Sequence, residues 1–491
     1  MSSLSRGVSR YLLIALMAVG MAGAALGLFL AGKAAILITL VALSALIALS
    51  LVRDLEYVSF LALAATMPIR LNMRLTEPAV YERAHSALGF LVGVTDCVVI
   101  VLMIAWARRV LFFDQPIRWL PKISIPMFLL FFWVAYAGLR AEADVASGSW
   151  MILRYLECCA LMLYLVNNIR PIRDYLAHAL TTSGMLLFES TLGLGQGMTG
   201  GFNFGMEVLG APVKRSVEHS GSRITGTMPT PNAFAAMMAG FVLQPVGILF
   251  SRNRISKLAI GGLIVFTGFA ILATKSRGVW LSSTLVFGYL IFSLLRTRYS
   301  SMRASFGVMW IALTLGIVAL ATPGVLDRLT EDDRGSAEAR SYMNRIALNM
   351  IEAKPWFGFG WDNYTLHFEA YDDTVIKHSE AFPFIVHNGY AYTAAEYGVP
   401  ALILLLWIWL VVMRRTLRMR PDAFTFPAIM AFLMPWGFVA RIIQTPLYIN
   451  NPLNSLDGWY TLGLCLVFRE LADQDKARRA KGLPDPLTAK P

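Results

Sequence analysis

Apolar residues fall along this chain in long blocks broken by short charged stretches. Most blocks approach the ~20 residues that carry a helix across ~30 Å of hydrocarbon. The windows predict helices near 11–30, 34–52, 57–69, 86–106, 123–139, 150–168, 175–194, 232–250, 258–274, 278–295, 304–322, 390–413, 424–442 and 457–468. The third and the last are short, so the expectation is an all-α polytopic membrane protein with 12–14 transmembrane helices. The first block, Tyr11 to Leu30, follows Arg6 and Arg10. It outruns the roughly 7–15-residue core of a signal peptide and is read as a retained helix.

Composition narrows the class further. Hydrophobic residues make up 57% and charged residues 15%, against about 25% charge in ordinary globular chains. A soluble multidomain protein, a disordered chain, a coiled coil and a secreted disulfide scaffold are all excluded. Cys97, Cys158, Cys159 and Cys465 lie within apolar segments without zinc-site spacing and are read as buried small hydrophobes.

The net charge of +12 has a topological explanation, because Lys and Arg stay on the cytoplasmic side. With the N-terminus inside and strict alternation, most of the 43 Lys and Arg fall in cytoplasmic segments, among them Arg108-Arg109, Arg252, Arg254, Arg296, Arg298, Arg414 and Arg415. Both termini are then cytoplasmic, and residues 469–491 form a basic, lipid-facing tail. No basic run accompanies a recognition fold, so nucleic acid is not an expected partner.

Two outer loops stand out, one over 195–223 and one over 323–387. Unstructured loops of such length are uncommon in compact proteins and are usually functional. Within the larger loop Ser336 can cap a helix from Ala337, with Ile346, Met350 and Ile351 at helical spacing until Lys354-Pro355 stops it. The expectation is an amphipathic helix at the outer membrane interface, then a glycine-hinged aromatic turn, Trp356 to Gly360.

Four arginines share the predicted outer face. Arg223 opens RITGTMPTPN, Arg277 sits in TKSRGVW, Arg340 opens RSYMNRIALNMIEAKPWFGFG, and Arg441 ends a helix. Cations at membrane depth are costly and tend to face polar cavities or partners, although snorkelling to headgroups is the plainer alternative. Their chemical use would be to bind a diphosphate through paired N–H donors. His387, in FIVHNGYAYTAAEYGVPA, stands where the large loop re-enters a helix, flanked by Asn388, Tyr390 and Glu396. An imidazole there can accept a proton from a sugar hydroxyl. His178 reads as a hydrogen-bonded core residue, and His85, His219, His367 and His378 as surface histidines. The pairs Asp332-Asp333 and Asp372-Asp373 read as solvated loop charge, because adjacent carboxylates do not converge on one ion; no metal site is expected. Trp356, Phe359, Trp361 and Tyr364 read as an interfacial aromatic belt rather than a sugar-stacking platform.

The segments R-I-T-G-T-M-P-T-P-N (223–232), K-S-R-G-V-W (275–280), P-W-F-G-F-G (355–360) and H-N-G-Y…A-E-Y-G-V-P (387–400) resemble, in that order, the bacterial O-antigen ligase and O-antigen polymerase family. The resemblance covers about 220–415; Asn344, Ala391 and Ala401 depart from the residues common in the family. It implies four regions: N-terminal helices with the first outer loop (1–222), a family-like core (223–415) holding the large periplasmic loop, C-terminal helices (416–468) and the tail (469–491). It also implies a metal-independent, inverting glycosyltransferase of the bacterial inner membrane, without cofactors. Its donor would be an undecaprenyl-diphosphate-linked glycan, its acceptor a glycan or lipid A-core, and membrane lipids and chain-length or export proteins would be its partners. By motif, Arg223 and Arg277 would hold the diphosphate, His387 would be the general base, and Arg340 and Arg441 would be further phosphate contacts.

A different class, a transporter or flippase for the same lipid-linked sugar, is the alternative. Such proteins are often built from internal repeats with sites near mid-membrane. Here no repeat is evident, and the distinctive polar residues gather at the outer rim.

Overall fold

The computed structural model describes residues 55–67, 72–74, 91–141, 145–199, 223–228, 230–249, 257–295, 336–375, 377–381, 385–419, 423, 425–447, 451–484 and 486–487. The predicted helices at 11–30, 34–52 and 304–322, with His85, His219 and Asp332-Asp333, lie outside these residues.

The described chain is almost wholly helical. Helix α1 (Leu55–Thr66) precedes a short antiparallel pair, β1 (Asn72–Arg74) with β2 (Leu91–Gly93), in which Met73 faces Val92. Then come α2 (Val94–Phe112), α3 (Pro121–Leu139), α4 (Val145–Asn167), α5 (Ile172–Thr199), α6 (Pro231–Phe241), α7 (Leu243–Leu249), α8 (Lys257–Ala273) and α9 (Arg277–Leu295). The segment after α9 contributes α10 (Ser336–Ala353), α11 (Tyr364–His367), a 3-10 turn (Phe368–Tyr371) and α12 (His378–Ala381). The last helices are α13 (Gly389–Tyr397), α14 (Val399–Thr416), α15 (Phe426–Gln444) with a 3-10 turn (Thr445–Leu447), and α16 (Leu456–Ala480).

Among the described residues four helices are long and apolar enough to cross a membrane: Pro121–Leu139, Pro231–Leu249, Val399–Thr416 and Phe426–Leu447. One buried apolar core runs through the bundle, with α16 packed between α15 and α4, α3 on α4 and α14, and α9 on α15. His178 lies in this core, its ring bonded to the Phe60 carbonyl at 3.0 Å and to the Tyr460 hydroxyl. Helix ends sort into two levels. At one, Glu56, Arg109, Asn168 and Tyr164 form a polar knot, with Arg109 donating to Glu56 at 2.8 Å and Asn168 at 2.6 Å. At the other, the end of α15 meets the start of α16.

Several expectations are corrected. The predicted helix at 86–106 begins at Val94, because 91–93 pair as a strand and Asp96 accepts the Gly93 N–H at 2.6 Å, fixing the helix start. The predicted span 390–413 is two helices that meet at Gly398, whose φ of +83° breaks the helix. The predicted 457–468 helix continues to Ala480, so the first half of the basic tail is helical; Arg469 and Arg479 pair with Asp473 and Asp475 along it. Cys97 is exposed on α2, whereas Cys158, Cys159 and Cys465 are buried as expected.

Candidate functional site

The segment from α10 to α13 folds on a small apolar core of its own. Met343, Ile346 and Met350 of α10 pack with Tyr364, Phe368 and Tyr392. The apolar stripe of α10 therefore faces protein. Phe359, Trp361 and Tyr364 are likewise buried, and among the expected aromatic belt only Trp356 is exposed.

Two of the sequence motifs form one clamp. The 355–360 turn runs along the end of α13, with Phe359 N–H donating to the Ala395 carbonyl at 3.0 Å, Gly360 N–H to Glu396 at 2.8 Å, and Val399 N–H to Pro355 at 2.8 Å. Backbones approach this closely because each segment has a glycine where the other's backbone passes. A Cβ at Gly358 would sit 2.5 Å from the Ala395 oxygen. One at Gly398 would sit 2.8 Å from the Phe357 nitrogen and closer still to the Trp356 carbonyl. Glu396, fully buried, accepts the Tyr364 N–H at 3.2 Å and ties α11 to the same joint; burial and the neighbouring Asp362 push its carboxyl well up.

At the other end of α13 stands His387, immediately before Asn388. Asn388 caps the helix, its side-chain oxygen accepting the N–H groups of Tyr390 at 3.2 Å and Ala391 at 3.3 Å. Its side-chain nitrogen donates to Asn344 of α10 at 3.1 Å. Arg340, one helical turn before Asn344, shares its face of α10. Burial, and then the Arg340 charge, lower the His387 pKa to about 4, so the imidazole is neutral at physiological pH. Among the described residues no carboxylate pairs with Arg340, and its Nε has no hydrogen-bond partner.

Arg223 lies across the bundle on the α8–α9 turn. Its Nε donates to the Thr274 carbonyl at 2.7 Å and a terminal nitrogen to Asn232 at 3.0 Å. Thr274 begins the turn through Lys275, which has φ +53°, to Arg277 at the start of α9. The motifs at 223–232 and 275–280 thus meet at one point. The start of α9 is linked in turn to α13: a Cβ on Gly278 would touch Leu447 at 3.2 Å, and Tyr390 donates to the Ile442 carbonyl at 2.9 Å. One contiguous rim therefore runs from Arg223 and Arg277, past the 442–447 segment, to His387 and Arg340.

Arg441 sits behind this rim. Its guanidinium is ion-paired with Asp457 and bonded to Ser455 at the start of α16, so it joins two helices. Sequence inspection missed that partner, although N-S-L-D-G at the head of an apolar block is a helix-start signal. Two loop readings are corrected as well. His378 is buried at 1% exposure against the Tyr342 ring rather than on the surface. Asp372 is buried, accepting from Thr374 N–H at 2.9 Å and from the Ser379 N–H and hydroxyl at 2.7 Å each. These bonds outweigh burial and hold its pKa at about 2. Asp373 is exposed as expected and pairs with Arg345 at 2.6 Å. Asn344, which no chemical motif singled out, is the residue the fold adds to the site. Among the described residues no group of three or more His, Cys, Asp or Glu is arranged to hold a metal ion.

Comparison with known proteins gives one match of family rank. No curated protein matches the chain. Residues 262–406, from α8 through the first half of α14, match the model of the O-antigen ligase family. That stretch contains Arg277, Arg340 and His387, and over it the chain is similar to the O-antigen ligase family.

Proposed function

We propose that the protein is an inverting glycosyltransferase that moves a glycan from an undecaprenyl-diphosphate carrier to an acceptor sugar hydroxyl on the periplasmic side of the bacterial inner membrane. The product is either a longer polysaccharide repeat chain or a glycan ligated to lipid A-core. One observation carries the reading: a neutral histidine shares a rim with three arginines, two of them clustered on the α8–α9 turn.

In this mechanism His387 accepts the proton of the acceptor hydroxyl. The oxygen attacks the anomeric carbon from the face opposite the diphosphate, and the bond from that carbon to the diphosphate oxygen breaks with its electron pair. Inversion follows from the single displacement. Arg223 and Arg277 neutralise the departing diphosphate, the electrostatic part that a divalent ion plays elsewhere. Arg340 adds charge beside the base. Arg441, occupied by Asp457, supports the rim as a helix joint. The carbonyl and amide bonds of Arg223 fix its plane, and lysine could not reproduce that fork.

The test is transfer by purified protein from a defined lipid-linked donor, with and without EDTA. Arg223→Lys and Arg277→Lys should each lower turnover by about 10²-fold or more, in the range of lost transition-state donors, and EDTA should have no effect. Normal turnover by both lysine variants would make these arginines lipid anchors. Loss in EDTA with rescue by magnesium would reintroduce a metal.

A further inference from the structure

We infer that Asn344 is a positioning residue for the transfer reaction: by accepting a hydrogen bond from Asn388 it locks the loop helix α10, and with it Arg340, against His387. The inference rests on the base role proposed for His387. It extends the site to a residue that touches no substrate.

The geometry is a bridge with two loaded ends. Asn388 spends its side-chain oxygen on the first turn of α13 and its side-chain nitrogen on Asn344. One side chain thus sets the orientation of the helix that follows His387 and the distance to α10. On α10 the neighbours of Asn344 are fixed: Met343, Ile346 and Ala347 are buried in the loop core, and Asn349 donates to the Tyr371 carbonyl at 3.0 Å. Arg340, at i−4 from Asn344, shares its face, while the helix start at Ser336 lies only one further turn away. Without the Asn344 bond, no other hydrogen bond of the described residues joins this end of α10 to the His387-Asn388 dipeptide.

The charged and titratable groups on the elements packed around the dipeptide are Glu338, Arg340, Tyr342, Arg345 and Glu352 of α10, Tyr390, Tyr392, Glu396 and Tyr397 of α13, Tyr364 and His367 of α11, and Arg441 at the end of α15. Tyr342 donates to Glu338. Arg345 is paired with Asp373, Arg441 with Asp457, Glu396 is engaged by Tyr364, and Tyr390 by Ile442. Arg340 is the one whose charge acts on His387. Releasing α10 should therefore weaken that effect and let the base take a proton at higher pH.

Two substitutions break the bridge from its two sides. Asn344→Ala removes the acceptor. Asn388→Ser keeps an N-cap but is too short to reach α10. Each should lower kcat by about 10- to 10²-fold, the scale of a small misplacement at a reacting group, with donor KM within about twofold, because Arg223 and Arg277 lie elsewhere on the rim. A second readout is independent of turnover. The pH dependence of His387 carbethoxylation, followed by mass spectrometry in the full-length protein, should move upward in both variants. The double variant should be no worse than either single one, the signature of one shared interaction. Unchanged kcat and unchanged carbethoxylation in Asn344→Ala would overturn the inference, as would fully additive effects of the two substitutions. His387→Ala, run beside them, separates the two levels. If it transfers normally, the base role itself fails; if it is inactive while Asn344→Ala behaves as wild type, only the positioning role fails.

Discussion

Gly398→Ala tests whether the 355–360 turn and the α13–α14 joint are held by backbone contact. Gly398 has φ +83° and ψ 164°, a region that is essentially glycine-only and costs other residues about 1–3 kcal/mol. An added Cβ would also displace the Trp356-Phe357 backbone, which loosens the three bonds joining 355–360 to α13 and α14. At about 1 kcal/mol for each bond, added to the strain, the expected loss is roughly 4–6 kcal/mol. Gly482→Ala is the control that isolates the backbone cost, because Gly482 has φ +68° with nothing within 4 Å; it should cost only about 1 kcal/mol. The assay is thermal unfolding of the detergent-purified protein, with limited proteolysis of the 336–397 segment. Gly398→Ala should lower the midpoint by several times the control shift and open a cleavage site near the turn. Equal shifts in the two variants would refute the clamp.

Further outcomes follow from the same geometry. Because burial and Arg340 hold the His387 pKa at about 4, the neutral base persists into acid, and kcat/KM should fall only near that pH. At pH 5.5 about 97% of the base would be neutral, against about 9% for an unshifted imidazole near 6.5; an acid limb near 6.5 would contradict the buried environment. Ser341 is exposed on α10, so a cysteine placed there should react with an impermeant maleimide in intact cells. Labelling only after permeabilisation would invert the proposed topology.

Much of the fold was legible because hydropathy reports burial in hydrocarbon. The windows 258–274, 278–295 and 424–442 lie within about two residues of α8, α9 and α15. Hydropathy is blind to backbone breaks, so it ran through Gly398, although Gly398-Val399-Pro400 carries a helix-stop and a helix-start signal together. It was equally blind to the amphipathic continuation of α16. The four motifs were visible in sequence, but their pairing was not. That Gly398 leaves room for the Trp356-Phe357 backbone, and that Arg223 bonds the Thr274 carbonyl, are contacts between segments far apart in sequence. His378 and Asp372 were misread for the same reason, because loop burial arises from tertiary packing and leaves no local pattern.

The central claim is that His387 removes the acceptor proton, and a paired measurement on His387→Ala tests it most directly. Donor binding and glycan transfer would be followed in the same purified preparation, with a defined undecaprenyl-diphosphate-linked glycan and its acceptor. Donor affinity should stay within a few-fold of wild type while transfer falls by about 10²–10⁴-fold, the usual cost of a lost general base. Transfer at the wild-type rate by His387→Ala would contradict it.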